Sequence, residues 1–133
     1  MDTIVVDVDT SSRWLADLTD PAVAFCHGRG DGLLHVFVPH ATAGLALLEL
    51  GSGTEDDLAD LVDRLLPRED RYRHAHGARG HGADHVLPAF VSPSLSIPVV
   101  DGRMALGTWQ SIVLVDTNGD NPRRQVRLSF LRG

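Results

Sequence analysis

Residues 95–106 read LSIPVVDGRMAL, and this stretch decides the fold. Two apolar runs, Leu95–Val100 and Arg103–Leu106, flank the dipeptide Asp101-Gly102. Asp-Gly between apolar runs is a strong two-residue hairpin turn, because both central residues accept the positive φ that the turn demands. The stretch therefore predicts an antiparallel hairpin. Around it, Thr108–Asp116 and Gln125–Arg132 read as further strands, with a turn at Asn118-Gly119 between them.

Working back toward the start, Thr3–Val8 is β-branched and apolar and predicts a strand, with Ser12–Leu18 as a candidate partner. Thr19-Asp20-Pro21 reads as a helix start, a cap residue followed by proline in the first turn. That helix must be short, because Gly28, Gly30 and Gly32 follow. Leu33–Val38 (LLHVFV) reads as a buried strand. Gly44–Leu50 (GLALLEL) is read as a strand because glycines bracket it. Ser52 and Glu55 form a capping box for the next helix. Leu58, Leu61, Val62 and Leu65 recur at helical spacing until Pro67 stops it. Residues 67–84 (PREDRYRHAHGARGHGAD) are almost devoid of apolar side chains and predict a long polar loop, a feature that is usually functional or disordered. A short helix is expected from Asp84 to Val91. Strands joined by hairpins, with helices between them, indicate an α+β class with a largely antiparallel sheet and helices packed on it.

Composition narrows the function. A chain of 133 residues, 43% hydrophobic, suits a single domain over 1–133 with its own core. One cysteine, Cys26, excludes an internal disulfide and fits a reducing compartment; with no basic-then-apolar opening segment, a cytoplasmic protein is expected. No run approaches the length of a membrane span. A net charge of −6 argues against nucleic acid as a partner. All twelve basic residues are arginine, and the absence of lysine excludes Schiff-base and P-loop chemistry.

Seven histidines carry the chemistry that remains. His40 follows Pro39 at a strand end, beside the small turn Ala41-Thr42-Ala43-Gly44. His74, His76, His81 and His85 lie within twelve residues. Neutral imidazole is the commonest nitrogen ligand for zinc-like ions, and three ligands leave one position open for catalysis. The spacing matches no standard zinc motif, so a metal site and a solvated polar loop both stay open. His27 and His35 read as structural or surface residues. Glu49 interrupts an apolar run; buried there, it is either a general base or metal partner, or one half of an ion pair with arginine. Trp109 either stacks on a ligand ring or fills the core. Arg123 and Arg124 are either phosphate-binding or ordinary surface cations.

Taken together, DGLLHVFVPHATAG at 31–44, Tyr72-Arg73-His74, His85, PSLSIPV at 93–99, DGRMAL at 101–106 and GTWQ at 107–110 resemble the YjbQ-like family, also called the secondary thiamine-phosphate synthase family. The resemblance runs from about residue 13 to 132. It implies an α+β fold, a homotrimer, and a polar pocket near a subunit boundary holding a divalent metal, zinc or magnesium, and a phosphorylated small molecule or other anion. It matches His40, His74 and His85 to recurrent histidines, expected as metal ligands. Glu49, with His40 and His85, is matched to catalysis, and Thr42, Thr108, Trp109, Gln110 and Arg123 to substrate binding. The implied reaction couples a pyrimidine-methyl diphosphate to a thiazole phosphate, possible as a side activity. The alternatives are a trimeric metal- or phosphate-binding protein without catalysis, and a metal-dependent hydrolase.

Three positions depart from the family pattern. Leu48 and Leu50 stand where asparagines usually flank the acidic position. Ser52-Gly53 replaces an aspartate-proline. His81 replaces an asparagine four residues before the matched His85. Either the lost amides weaken the family activity, or His81 supplies a ligand of its own.

Overall fold

The computed structural model describes residues 1–69 and 71–133. The elements run β1 (Asp2–Asp9), β2 (Leu15–Asp17), α1 (Thr19–Cys26), β3 (Gly32–Phe37), β4 (Gly44–Leu48), α2 (Thr54–Leu65), α3 (His81–Val86), β5 (Ser94–Val100), β6 (Arg103–Met104), β7 (Ser111–Val115) and β8 (Arg123–Arg132). A single 3-10 turn, Leu87–Ala89, extends α3.

The 95–106 hairpin forms as expected. Val99 pairs with Met104 and Val100 with Arg103. Asp101 (φ 50°) and Gly102 (φ 73°) both take positive φ, and Asp101 is the one non-glycine to do so among the described residues. The hairpin is one edge of a five-stranded antiparallel sheet ordered β1-β8-β3-β5-β6. A second antiparallel sheet, β2-β7-β4, lies against it. The fold is α+β.

Two apolar clusters organise the layers. Between the sheets, Leu34, Val36, Ile97, Leu128 and Phe130 meet Leu45, Ile112 and Leu114, with Ala22, Phe25 and Cys26 of α1 wedged in. On the other side of the small sheet, Val115 packs against Val62 and Leu66 of the α2 end and Ala83 and Leu87 of the α3 segment. Strand β7 is buried on both faces from Ile112 to Val115, which is why that run, IVLV, is continuously apolar rather than alternating. Gly44 is required where β4 passes the 91–92 backbone: a side chain there would collide with the Val91 carbonyl.

Several expectations are corrected. The strand in Ser12–Leu18 is only Leu15–Asp17, and it pairs with β7, while β1 pairs with β8. Thr19 is the first residue of α1 rather than its cap, and its hydroxyl accepts the Ile112 N–H at 3.0 Å. The capping box forms by half. Gly53, not Ser52, caps α2, in the left-handed conformation, while Glu55 does reach back, to the Gly51 N–H. Helix α3 starts at His81, three residues before the expected boundary. Strand β7 starts at Ser111, which leaves Thr108, Trp109 and Gln110 in an exposed turn. Trp109 is 72% exposed and does not fill the core. Cys26 is fully buried, and burial pushes its thiol up. His35 lies on β3 opposite Ser96, with Nδ1 2.9 Å from the Ser96 hydroxyl. No helix among the described residues is long and apolar enough to cross a membrane.

Candidate metal centre

The sequence HGADHV places His81 and His85 one helical turn apart on the same face of α3. A six-residue helix has little stability of its own. Asp84, on the buried flank of the helix, anchors it. Its carboxylate is 1% exposed and accepts from Arg68 Nη1 (2.7 Å) and Nη2 (3.1 Å), the Thr117 hydroxyl (2.6 Å) and Asn118 Nδ2 (3.0 Å). Gly82 lets the preceding loop lie against the helix, since a side chain there would strike Tyr72 and the His74 carbonyl. The loop thereby delivers His74.

The three imidazoles converge. His81 Nε2 stands 3.1 Å from His74 Nε2 and 3.1 Å from His85 Nε2. The ligand atoms of all three lie within 4.8 Å of one another. An ion bonded tetrahedrally to imidazole nitrogens at about 2.05 Å sets those nitrogens about 3.3 Å apart, close to the spacing observed. His81 Nδ1 lies 2.6 Å from Asp120 Oδ2. His76 joins the cluster at its rim, its ring centroid 4.4 Å from those of His74 and His81. His74 is held below the usual histidine value by desolvation and by its neighbours His76 and His81. His85 is lowered too, by desolvation first and then by His74, His81 and His76. Both are therefore neutral at pH 7, the form that binds metal. Asp120 is held below the usual carboxylate range, chiefly by its hydrogen bond with His81 and then by the Ala78 N–H. A cleft of about 360 Å³ opens beside the cluster, lined among others by Arg68, Tyr72, His74, His76, Arg79 and His81.

The structure brings His74 and His85 together but leaves His40 out; His81 takes the third place. His40 sits beyond the end of β3, and its Nε2 accepts the Gln125 backbone N–H at 2.9 Å. That nitrogen's lone pair is committed. Burial and then the Arg124 guanidinium lower its affinity for a proton, opposed by Asp116. Thr42 is buried and its hydroxyl accepts from Arg124 Nη2 at 2.8 Å, a contact internal to the fold. Arg124 is 2% exposed and binds Asp116 in bidentate fashion (2.7 and 2.9 Å), so it is not a surface cation. Arg123 is exposed at the start of β8. Glu49 lies just past the end of β4, half-buried, with no ion pair to arginine among the described residues. None of Glu49, Thr108, Trp109, Gln110 and Arg123 lines the cleft. Sequence reasoning counted His81 among the clustered histidines and as a departure from the family pattern, but did not rank it among the ligands. It missed Asp120, which lies 39 positions from His81 and carries no local signal.

The chain matches the model of the UPF0047, YjbQ-like family over residues 4–133. It belongs to that family. The UPF0047 protein Rv2556c of Mycobacterium tuberculosis is 65% identical to it over 133 residues, covering the whole of both chains. Among solved structures, the hypothetical protein APE1520 of Aeropyrum pernix is 31% identical, with a TM-score of 0.87 over the full length of both chains. A YbjQ-like protein of Sulfolobus solfataricus, 24% identical, shares the fold with a TM-score of 0.90, covering 99% of this chain and 97% of that one.

Proposed function

We propose that this UPF0047 protein is a metal-assisted enzyme of phosphorylated small molecules, with a zinc-type ion held by His74, His81 and His85. The observation that carries the reading is the convergence of three Nε2 atoms at 3.1 Å steps beside a polar cleft. Three imidazoles favour zinc over magnesium, which prefers oxygen ligands and keeps its waters. A bound ion with an open position would supply Lewis-acid activation of a phosphoryl oxygen or of water. Arg79, which lines the cleft, would offer an anion the remaining nitrogens of its guanidinium. The reaction implied by resemblance, coupling a pyrimidine-methyl diphosphate to a thiazole phosphate, is the first to assay.

A second reading, metal or phosphate binding without turnover, is favoured by the dispersal of Glu49, Trp109 and Arg123 away from the cleft within one chain. A homotrimer could gather them. Val5, Leu33, Phe37, Val100 and Leu131, all more than a third exposed, supply apolar area for such contacts. The test measures bound metal and thiamine phosphate formation in wild type, His81→Ala, His85→Ala, His40→Ala and Glu49→Ala, with light scattering for oligomeric state. His81→Ala and His85→Ala should lower metal content at least tenfold, and His40→Ala should leave it unchanged. Metal retained by both of the first two variants would sink the assignment of the centre. Stoichiometric metal without turnover would select the second reading.

A further inference from the structure

We propose that Asp120 is the positioning carboxylate of the histidine centre, holding His81 in the tautomer that turns an unprotonated Nε2 toward the ion. The inference rests on the metal reading above and adds a residue that governs it. A carboxylate at neutral pH only accepts hydrogen bonds. Its Oδ2 lies 2.6 Å from His81 Nδ1, so the shared proton sits on Nδ1. In neutral imidazole that leaves the lone pair on Nε2, the atom facing His74 and His85. Without an ion, this lone pair can accept an N–H from one neighbour at a time.

Asp120 is itself held from several sides. Both its oxygens accept the Ala78 N–H, at 3.0 and 3.2 Å. Its own N–H donates to Asn118 Oδ1 at 3.0 Å. Asn118 in turn donates to Asp84 on the buried flank of α3. The segment between β7 and β8 thus grips the histidine helix twice, through Asp120 on the ligand side and through Asn118 on the buried side. Gly77 completes the arrangement: at φ 76°, a side chain there would come within 2.6 Å of Asp120 Oδ2 and 2.9 Å of His81 Nδ1. The loop closes over this pair only because residue 77 has no side chain. Carboxylate partners of metal-bound histidine fix ring orientation and raise ligand basicity.

The experiment titrates cobalt(II) and zinc into chelator-stripped full-length protein: wild type, Asp120→Asn, Asp120→Ala and His81→Ala. Asp120→Asn keeps an oxygen acceptor for the Ala78 N–H. It should bind zinc about 10- to 100-fold more weakly than wild type, with an altered cobalt spectrum and at most a small drop in the melting temperature of the metal-free protein. Affinity and spectrum within error of wild type in both Asp120 variants, with binding lost in His81→Ala, would overturn the role of Asp120 and leave the metal centre standing. No cobalt bound by wild type would overturn the metal reading, and this inference with it. A measurement needing no variant is the long-range 15N spectrum of wild-type His81. The Nδ1–H tautomer is expected, and an Nε2–H tautomer would contradict the proposal.

Discussion

Two polar clusters among the described residues differ in one respect. Around Arg124, the groups bond one another inside the fold. The guanidinium is bidentate on Asp116, its Nη2 also reaches Thr42, and Asp116 takes the Thr10 hydroxyl at 2.6 Å as well. Around His81, the groups point at one another and at an open cleft. Three basic nitrogens crowded together gain little from each other without an ion to share. A closed polar knot specifies the fold, whereas an open one leaves nitrogens accessible to a ligand. His40 belongs to the first cluster by its neighbours, although its position at a strand end suggests the second.

The largest effect should come from breaking the closed cluster. Arg124→Ala leaves the Asp116 carboxylate, 3% exposed, without its counter-charge. Such a loss typically costs about 3–5 kcal/mol. Urea unfolding should show a much lower midpoint, while the surviving folded protein binds zinc as wild type does. Equal losses of stability and of intrinsic metal affinity would mean that the two clusters are one unit.

Asp84→Ala should produce a smaller loss of stability, and it tests where the comparison fails. The carboxylate is buried, but its partner Arg68 keeps 29% of its side chain exposed and can recover hydration. The pair holds Arg68 above the usual arginine value, chiefly through the hydrogen bond to Asp84. Truncation should cost about 2–3 kcal/mol, below the range for a fully buried pair. Because Asp84 fixes the helix that carries both His81 and His85, zinc affinity should fall with it. A stability loss with unchanged zinc affinity would show that α3 keeps its place without this anchor.

What was legible in the sequence follows the same division between local and distant information. The 95–106 hairpin was readable because its turn residues dictate their own φ, and Asp101 and Gly102 do so in the structure. The α3 face was nearly readable, since His81 and His85 are four apart. Strand partnership was not. Thr3–Val8 reads as a strand whoever pairs with it, and its partner β8 lies more than a hundred residues away. The site divides likewise. His74 and His85 were marked by resemblance. Asp120 was invisible, because nothing near residue 120 speaks of an imidazole 39 positions earlier. Glu49 was only partly legible: the burial expected from its apolar neighbours is half met, because the strand ends one residue before it.

The smallest effect concerns protons in the metal-free protein, and it draws on both clusters. His40, His74 and His85 all have lowered proton affinity in the fold, each through desolvation first. An unfolded histidine takes up its proton near pH 6.5. As pH falls through that value, the unfolded chain gains protons before the folded one does, so stability must fall. The decline stops once the folded histidines are protonated as well, and above about pH 7.5 these groups contribute no slope. Asp9, Glu55, Glu69 and Asp120 are lowered too, but their share of stability starts to be lost only below about pH 4.5, so the upper part of the decline belongs to the histidines. Urea midpoints in chelator should therefore be flat near neutrality and decline below about pH 6.5. His40→Gln should remove only the part of the decline that belongs to the Arg124 cluster. The remainder belongs to His74 and His85, whose lowering comes partly from each other, so His85→Gln should flatten it by more than one histidine's share. A midpoint that rises on acidification through this window would contradict the crowding of neutral imidazoles that defines the open centre.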